Sequence, residues 1–201
     1  PKSIDERVAF DALVGRSEGE PPPDVVVCVI DATYLERNLY LVSQVLDLGL
    51  PTVVALNMTD AAAEAGIAVD AALLSARLEV PVVETAARVG EGVDALRAAV
   101  LDPPGAAQGV GWDLMPGVAE ALGPLMALLP ADVPAGRRRF EALGALTSDP
   151  LLDAWTSRAP TFHAAVLATR AEMEASPEPY KMAEMTGRYG WISPVAGGGG
   201  R

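Results

Sequence analysis

Asn57-Met58-Thr59-Asp60 directly follows the apolar run Thr52-Val53-Val54-Ala55-Leu56. An Asn-x-x-Asp set at the end of a buried strand places two short polar side chains on one tight loop. The Asp60 carboxylate can accept two hydrogen bonds there, from N1–H and the 2-amino group of a guanine. Adenine presents no such pair of donors, and a site built to bond them strongly rejects a base that lacks them. Asn57 can hold the neighbouring loops and face the other edge of the base. A second segment, Thr85-Ala86-Ala87-Arg88, ends the next apolar run and would offer backbone N–H groups from its Ala86–Arg88 turn to guanine O6. Taken alone, Asn and Asp at a strand end are simply good turn formers. The recurrence of a second fitting strand end one strand–helix interval later favours base recognition.

The remaining candidates read more plainly. Asp31 caps a strand end and starts the turn of residues 32–38. Arg37 is a solvated or ion-paired helix residue, and Glu91 a cap for the following helix. His163, beside Phe162 and Val166, is a structural histidine. Arg137-Arg138-Arg139 reads as a solvated face, with pairing to acidic groups of the first domain as the alternative, and Trp112, Trp155 and Trp191 read as core anchors of the C-terminal half. A generic doubly wound enzyme using Asp31 and Asp60 would need a Gly-rich first turn, and none follows any of the three strands.

The elements that would position these residues follow from periodicity. Ser3 and Glu6 have capping-box spacing ahead of Ile4, Val8, Ala12 and Leu13. Val25 to Ile30 reads as a strand buried on both faces. Leu39, Val42 and Leu46 mark a helix from about Leu35 that stops at Gly49. Strands follow at 52–56 and 81–85, with helices near 70–78 and 93–100. Strand starts near 25, 52 and 81 give a spacing of about 28 residues, the rhythm of βαβ units in a parallel sheet. Residues 103–112 are rich in Pro, Gly and Ala and read as a linker. Beyond them no β-branched run appears, and helices are expected at 113–129, 136–146, 150–157, 160–175 and 178–191. The expected division is 1–102 for the α/β part, 113–193 for the helical part and 194–201 for a flexible tail.

Composition narrows the field. The 201 residues are 50% hydrophobic, enough for a sizeable core, and carry a net charge of -12. That charge opposes a nucleic-acid footprint or a polybasic membrane anchor. One cysteine, Cys28, and one histidine leave no intrachain disulfide and no site needing two imidazoles. No stretch approaches the roughly 18 apolar residues of a membrane span, and no signal peptide opens the chain. A cytoplasmic chain is expected. It does not begin with Met, so a piece of a longer protein is also expected.

Together these residues resemble a known family. Asp24-Val25-Val26-Val27 through Asp31-Ala32-Thr33, then Leu35-Glu36-Arg37-Asn38-Leu39, is similar to the G domain of bacterial ferrous iron transport protein B. Asn57-Met58-Thr59-Asp60 matches its guanine motif, with Met where most G proteins have Lys. Ala86-Ala87-Arg88 and Gly90-Glu91-Gly92 match its fifth motif, with Ala86 replacing the usual Ser. A backbone contact survives that change and a hydroxyl contact does not. Residues 113–193 resemble the family's cytosolic helical domain more loosely, through Gly187-Arg188-Tyr189 and Trp191-Ile192.

The resemblance implies an α/β fold. It would be a partial Ras-like P-loop GTPase parallel sheet of three βα units, followed by a small all-α helical subdomain. It implies contacts to the guanine of GTP or GDP through Asn57, Met58, Thr59, Asp60, Ala86, Ala87 and Arg88. The implied parent would be a GTPase at the cytoplasmic face of the cell membrane, with hydrolysis regulating Fe²⁺ passage through a permease domain. The helical domain of the family influences nucleotide release. No Gly-x-x-x-x-Gly-Lys-Ser/Thr occurs in the chain, and no Asp-x-x-Gly switch motif: the one such spacing, Asp102-Pro103-Pro104-Gly105, falls at the start of the linker and follows no strand. The phosphate cradle, the Mg²⁺ ligands and the water-positioning groups would therefore belong upstream of Pro1. That missing N-terminal part is the expected partner, and a half-sheet without it exposes an apolar edge prone to aggregation. A second reading is a nucleotide-independent interaction module derived from a degenerate G domain.

Overall fold

The computed structural model describes residues 4–15, 21–107, 109, 111–175 and 179–197. Ser3 of the expected capping box, residues 16–20 of the first loop and Gly198–Gly200 of the tail lie outside the described residues.

After the helix α1 (Ile4–Leu13), β1 (Val26–Asp31), β2 (Thr52–Asn57) and β3 (Val82–Glu84) form one parallel sheet in the order β1-β2-β3. The register pairs Asp31 with Asn57 and Leu56 with Glu84, so the three strands end side by side. α2 (Leu35–Leu46) links β1 to β2, and α3 (Thr59–Glu64) and α4 (Ala71–Leu78) link β2 to β3. α5 (Val93–Leu101) follows β3. β2 is buried at every residue but Asn57, because it has strands on both edges and packs against α2 and α5. On α2, Leu39, Val42, Val45 and Leu46 form the buried stripe, and Gly49, at φ +71°, ends the turn that follows the helix.

β1 departs from the expected double burial. Cys28 and Ile30 are buried, while Val27 and Val29 are 37% and 64% exposed. Alternate residues of a strand face opposite sides. α2 packs against β1, and among the described residues nothing covers Val29. Burial pushes the Cys28 thiol up to about 11, which suits a small inert core residue.

The C-terminal half comprises α6 (Pro116–Ala127), α7 (Arg138–Thr147), the short α8 (Asp149–Asp153), α9 (Pro160–Glu174) and α10 (Ala183–Gly197). Pro116 and Pro160 open their helices where no N–H partner is required. The last helix overruns the expected tail boundary at 194, because Ile192 and Val195 are buried and anchor its final turns. The described residues of 103–112 form no helix or strand, yet Ala107 and Trp112 are buried, so this join is packed rather than free. One continuous apolar core runs from Ile30 and Leu39 at the sheet to Trp155, Phe162 and Ile192.

The Arg137–Arg139 run is not the expected solvated face. Arg137 pairs with buried Glu141 at 3.0 Å. Arg138 donates to the carbonyls of Met126, Leu129 and Pro130 at 2.7, 3.2 and 2.7 Å, closing the open end of α6. Arg139 donates to the Trp112 carbonyl at 3.0 Å and lies over the Trp112 ring. The guanidinium groups of Arg138 and Arg139 find carbonyls left by a helix end and a loop, a demand invisible in a local charge pattern. Arg138→Ala is expected to cost about 1–3 kcal/mol. Thermal unfolding checks it, with exposed Arg97→Gln expected to stay within about 0.5 kcal/mol.

Candidate base-recognition site

The site forms where β2 and β3 end. Asn57 closes β2, and Met58 then turns the chain with a left-handed φ of +63° into the first turn of α3, which carries Thr59 and Asp60. A non-glycine residue held there is strained by about 1–3 kcal/mol and persists where surrounding bonds over-determine it. Those bonds are present. The Thr59 N–H and hydroxyl both donate to the Thr85 carbonyl, at 3.4 and 3.1 Å. The Thr85 hydroxyl donates to Asn57 Oδ1 at 3.2 Å, and the Ala87 N–H donates to the same oxygen at 3.1 Å. Asn57 thus holds the two strand-end loops together.

The 84–92 turn is closed by its own backbone. The Ala86 N–H donates to the Glu91 carbonyl at 3.1 Å. Gly92, at φ +74°, is the N-cap of α5, and no side chain caps that helix, so Glu91 acts through its carbonyl rather than as the expected cap. A Cβ on Gly92 would run into the Glu84 carbonyl. Gly92→Ala is therefore expected to cost at least the ~1–2 kcal/mol of a left-handed alanine and to displace residues 84–87. A thermal melt and the amide shifts of Ala86 and Ala87 read both effects.

Asp60 is one-third exposed, and Arg88 reaches toward it with 3.7 Å between Nη2 and Oδ2. Arg88 is 85% exposed, so this pair is weak and easily displaced. Of the Ala86–Arg88 amides, those of Ala86 and Ala87 are already bonded within the protein. Asp31 ends β1 beside Asn57, and its carboxylate accepts from the Thr33 N–H and hydroxyl at 2.7 Å each, the local turn expected of it. His163 is half-buried on α9, away from the strand ends. A cleft of about 490 Å³ between Arg77, residues 111–115 and α10 contains none of the strand-end residues.

A family model described as "Ferrous iron transport protein B" matches residues 1–100. The chain belongs to this family. The Fe(2+) transporter FeoB of Escherichia coli (strain K12) is 36% identical over 177 residues, covering 86% of this chain and 22% of that protein. The Fe(2+) transporter FeoB of Salmonella typhimurium is 41% identical over 98 residues, covering 49% of this chain and 12% of that protein. The chain thus spans about a fifth or less of these relatives' length. A crystal structure of an S. thermophilus NFeoB mutant bound to GDP superposes with a TM-score of 0.81 at 29% identity, covering 97% of this chain and 74% of that one. NFeoB from S. thermophilus bound to GDP, AlF4⁻ and K⁺ superposes with a TM-score of 0.80 at 28% identity, covering 98% and 76%. This FeoB-type chain shares the architecture through both halves: a partial Ras-like parallel sheet and a small helical part.

The sequence reading named Thr85 as a strand end and gave it no positioning role. Thr85 is 3% exposed and binds both Asn57 and Thr59.

Proposed function

We propose that this chain is the guanine-reading part of the GTP-binding cytosolic region of a ferrous iron transporter. The carrying observation is the cross-loop bonding of Asn57 to Thr85 and Ala87, which brings the Asp60 carboxylate and the Ala87 N–H to one end of the sheet. In this reading Asp60 accepts from guanine N1–H and the 2-amino group. Guanine O6 takes over the Ala87 N–H that Asn57 Oδ1 holds in the free protein. Arg88 leaves Asp60 and lies against the base, and Met58 and Thr59 shape the loop.

The residues present fit the base and not the phosphates or Mg²⁺, since the sequence holds no P-loop lysine or switch motif. Those groups, and GTP hydrolysis with its control of Fe²⁺ passage, belong to the longer protein. The open β1 edge and exposed Val29 suit an upstream strand of the same G domain as the partner here. The helical half would connect this region to a membrane permease domain at the cytoplasmic face. Among the described residues no helix is long and apolar enough to cross a membrane. The proposed boundaries are residues 1–102 for the G-domain part, 103–112 for the join and 113–197 for the helical part.

Calorimetry on the chain alone is expected to give a GTP Kd no tighter than about 1 mM, or about −4 kcal/mol. NMR titration with guanosine is expected to shift Asp60 and Ala87, and adenosine to leave them unmoved. Micromolar GTP binding with turnover by this chain would sink the division of labour. Equal responses to both nucleosides would sink the base assignment and favour an interaction module.

A further inference from the structure

α10 runs antiparallel along one face of α2. Ser193 donates to Glu36 Oε1 at 3.1 Å, the Tyr189 and Tyr40 rings stack with centroids 5.2 Å apart, and Gln44 donates to Glu184 Oε1 at 3.4 Å. Glu36, Tyr40, Gln44 and Asp47 recur at helical spacing, so they form one stripe. Arg188 closes this seam and is 1% exposed. Its guanidinium donates to Glu184 at 3.0 Å, the Ser43 hydroxyl at 3.1 Å and Asp47 at 2.6 Å, and lies 4.6 Å over the Trp112 ring. Gly187 makes room for this approach, since a Cβ there would run into the Trp112 ring and the Asp113 carbonyl.

The other end of α2 leads to the base site. α2 starts from the 3-10 turn Ala32–Tyr34, and that turn packs on α3, whose first residues are Thr59 and Asp60. α10, α2, the turn and α3 are therefore in continuous contact. An apolar seam would tolerate several alignments of α10, whereas three directed bonds from one buried guanidinium accept one.

We propose that Arg188 is a positioning residue: by fixing α10 on α2 it sets the place of α3, and with it Asp60. The function of this device rests on the base-reading role of Asp60 given above, and its mechanics do not. Amide hydrogen exchange on the full chain tests it with Arg188→Lys and the milder Glu36→Ala, beside a core control, Phe162→Leu. Exchange at residues 32–35 and 59–64 is expected to accelerate on the order of tenfold in the two seam variants. The control should leave those segments near the unmodified rates. Acceleration of the same segments by the control, or unchanged rates there in both seam variants, overturns the proposal. Guanosine titration of the unmodified chain judges the base reading separately, because it does not involve the seam variants.

Discussion

Asp60→Asn, placed in a chain extended upstream to include the phosphate-binding segment, is expected to weaken GTP binding by about 10²–10³-fold. The substitution replaces a carboxylate that accepts two hydrogen bonds by an amide that presents one acceptor and one donor. The amide NH₂ then faces the 2-amino group of guanine, donor against donor. Each charge-assisted bond is worth about 1.5–3 kcal/mol, and the unpaired buried donor adds to the loss. The same exchange suits xanthine, which carries a carbonyl in place of the 2-amino group. Xanthosine triphosphate binding is therefore expected to rise while GTP binding falls. Competition between the two nucleotides for the variant measures the ratio. Parallel weakening of both, with no reversal of preference, would show that Asp60 does not read the C2 position. The exposed Arg88 partner does not alter this expectation, because a solvent-screened pair at 3.7 Å contributes little.

Arg188→Ala is expected to lower global stability by about 3–5 kcal/mol, the usual range for breaking a buried pair from one side. For a chain of this size that is a fall of roughly 10 °C in Tm. The loss has three parts: the bonds to Glu184, Ser43 and Asp47, the contact with Trp112, and the cavity left by a side chain that is 1% exposed. Its pH dependence has a definite sign. Burial already pushes the Asp47 carboxyl above its usual value, against the downward pull of Arg188 and, more weakly, Arg139. Without Arg188 the carboxyl rises further. A folded pKa above the unfolded one gives a contribution that is present below the unfolded pKa and is lost as pH rises through the folded pKa. The gap in Tm between variant and unmodified chain is therefore expected to widen from pH 4 toward neutrality. Thermal melts across that range check it, and a gap that narrows would assign the charge balance of the seam differently.

Much of the candidate site was legible in the sequence because its logic is local. Asn57-Met58-Thr59-Asp60 and Ala86-Ala87-Arg88 each follow directly on a strand, and a parallel sheet brings neighbouring strand ends together without further information. The helix positions were legible for the same reason, since the stripe of Leu39, Val42 and Leu46 is a short-range pattern. The Arg137–Arg139 run was misread because identical neighbours on a helix point to different places. One finds the end of α6, one finds Trp112 and one finds Glu141. The face of β1 was misread because an apolar run marks the capacity for burial and does not say what covers it. Val29 has that capacity and is still 64% exposed.

By itself the sequence determined the βα order of the first half, the helical character of the second, and which short polar side chains stand at the strand ends. Only the tertiary structure decided how those groups are occupied in the free protein: Asn57 Oδ1 on the Ala87 N–H, Thr85 stitching the loops, and Arg188 locked between α10 and α2. These bonds join residues far apart in the chain, such as Arg188 and Ser43, whose proximity comes from packing of the core. A hydrogen bond needs its partners within about 3 Å, and no local pattern of residue types contains that distance.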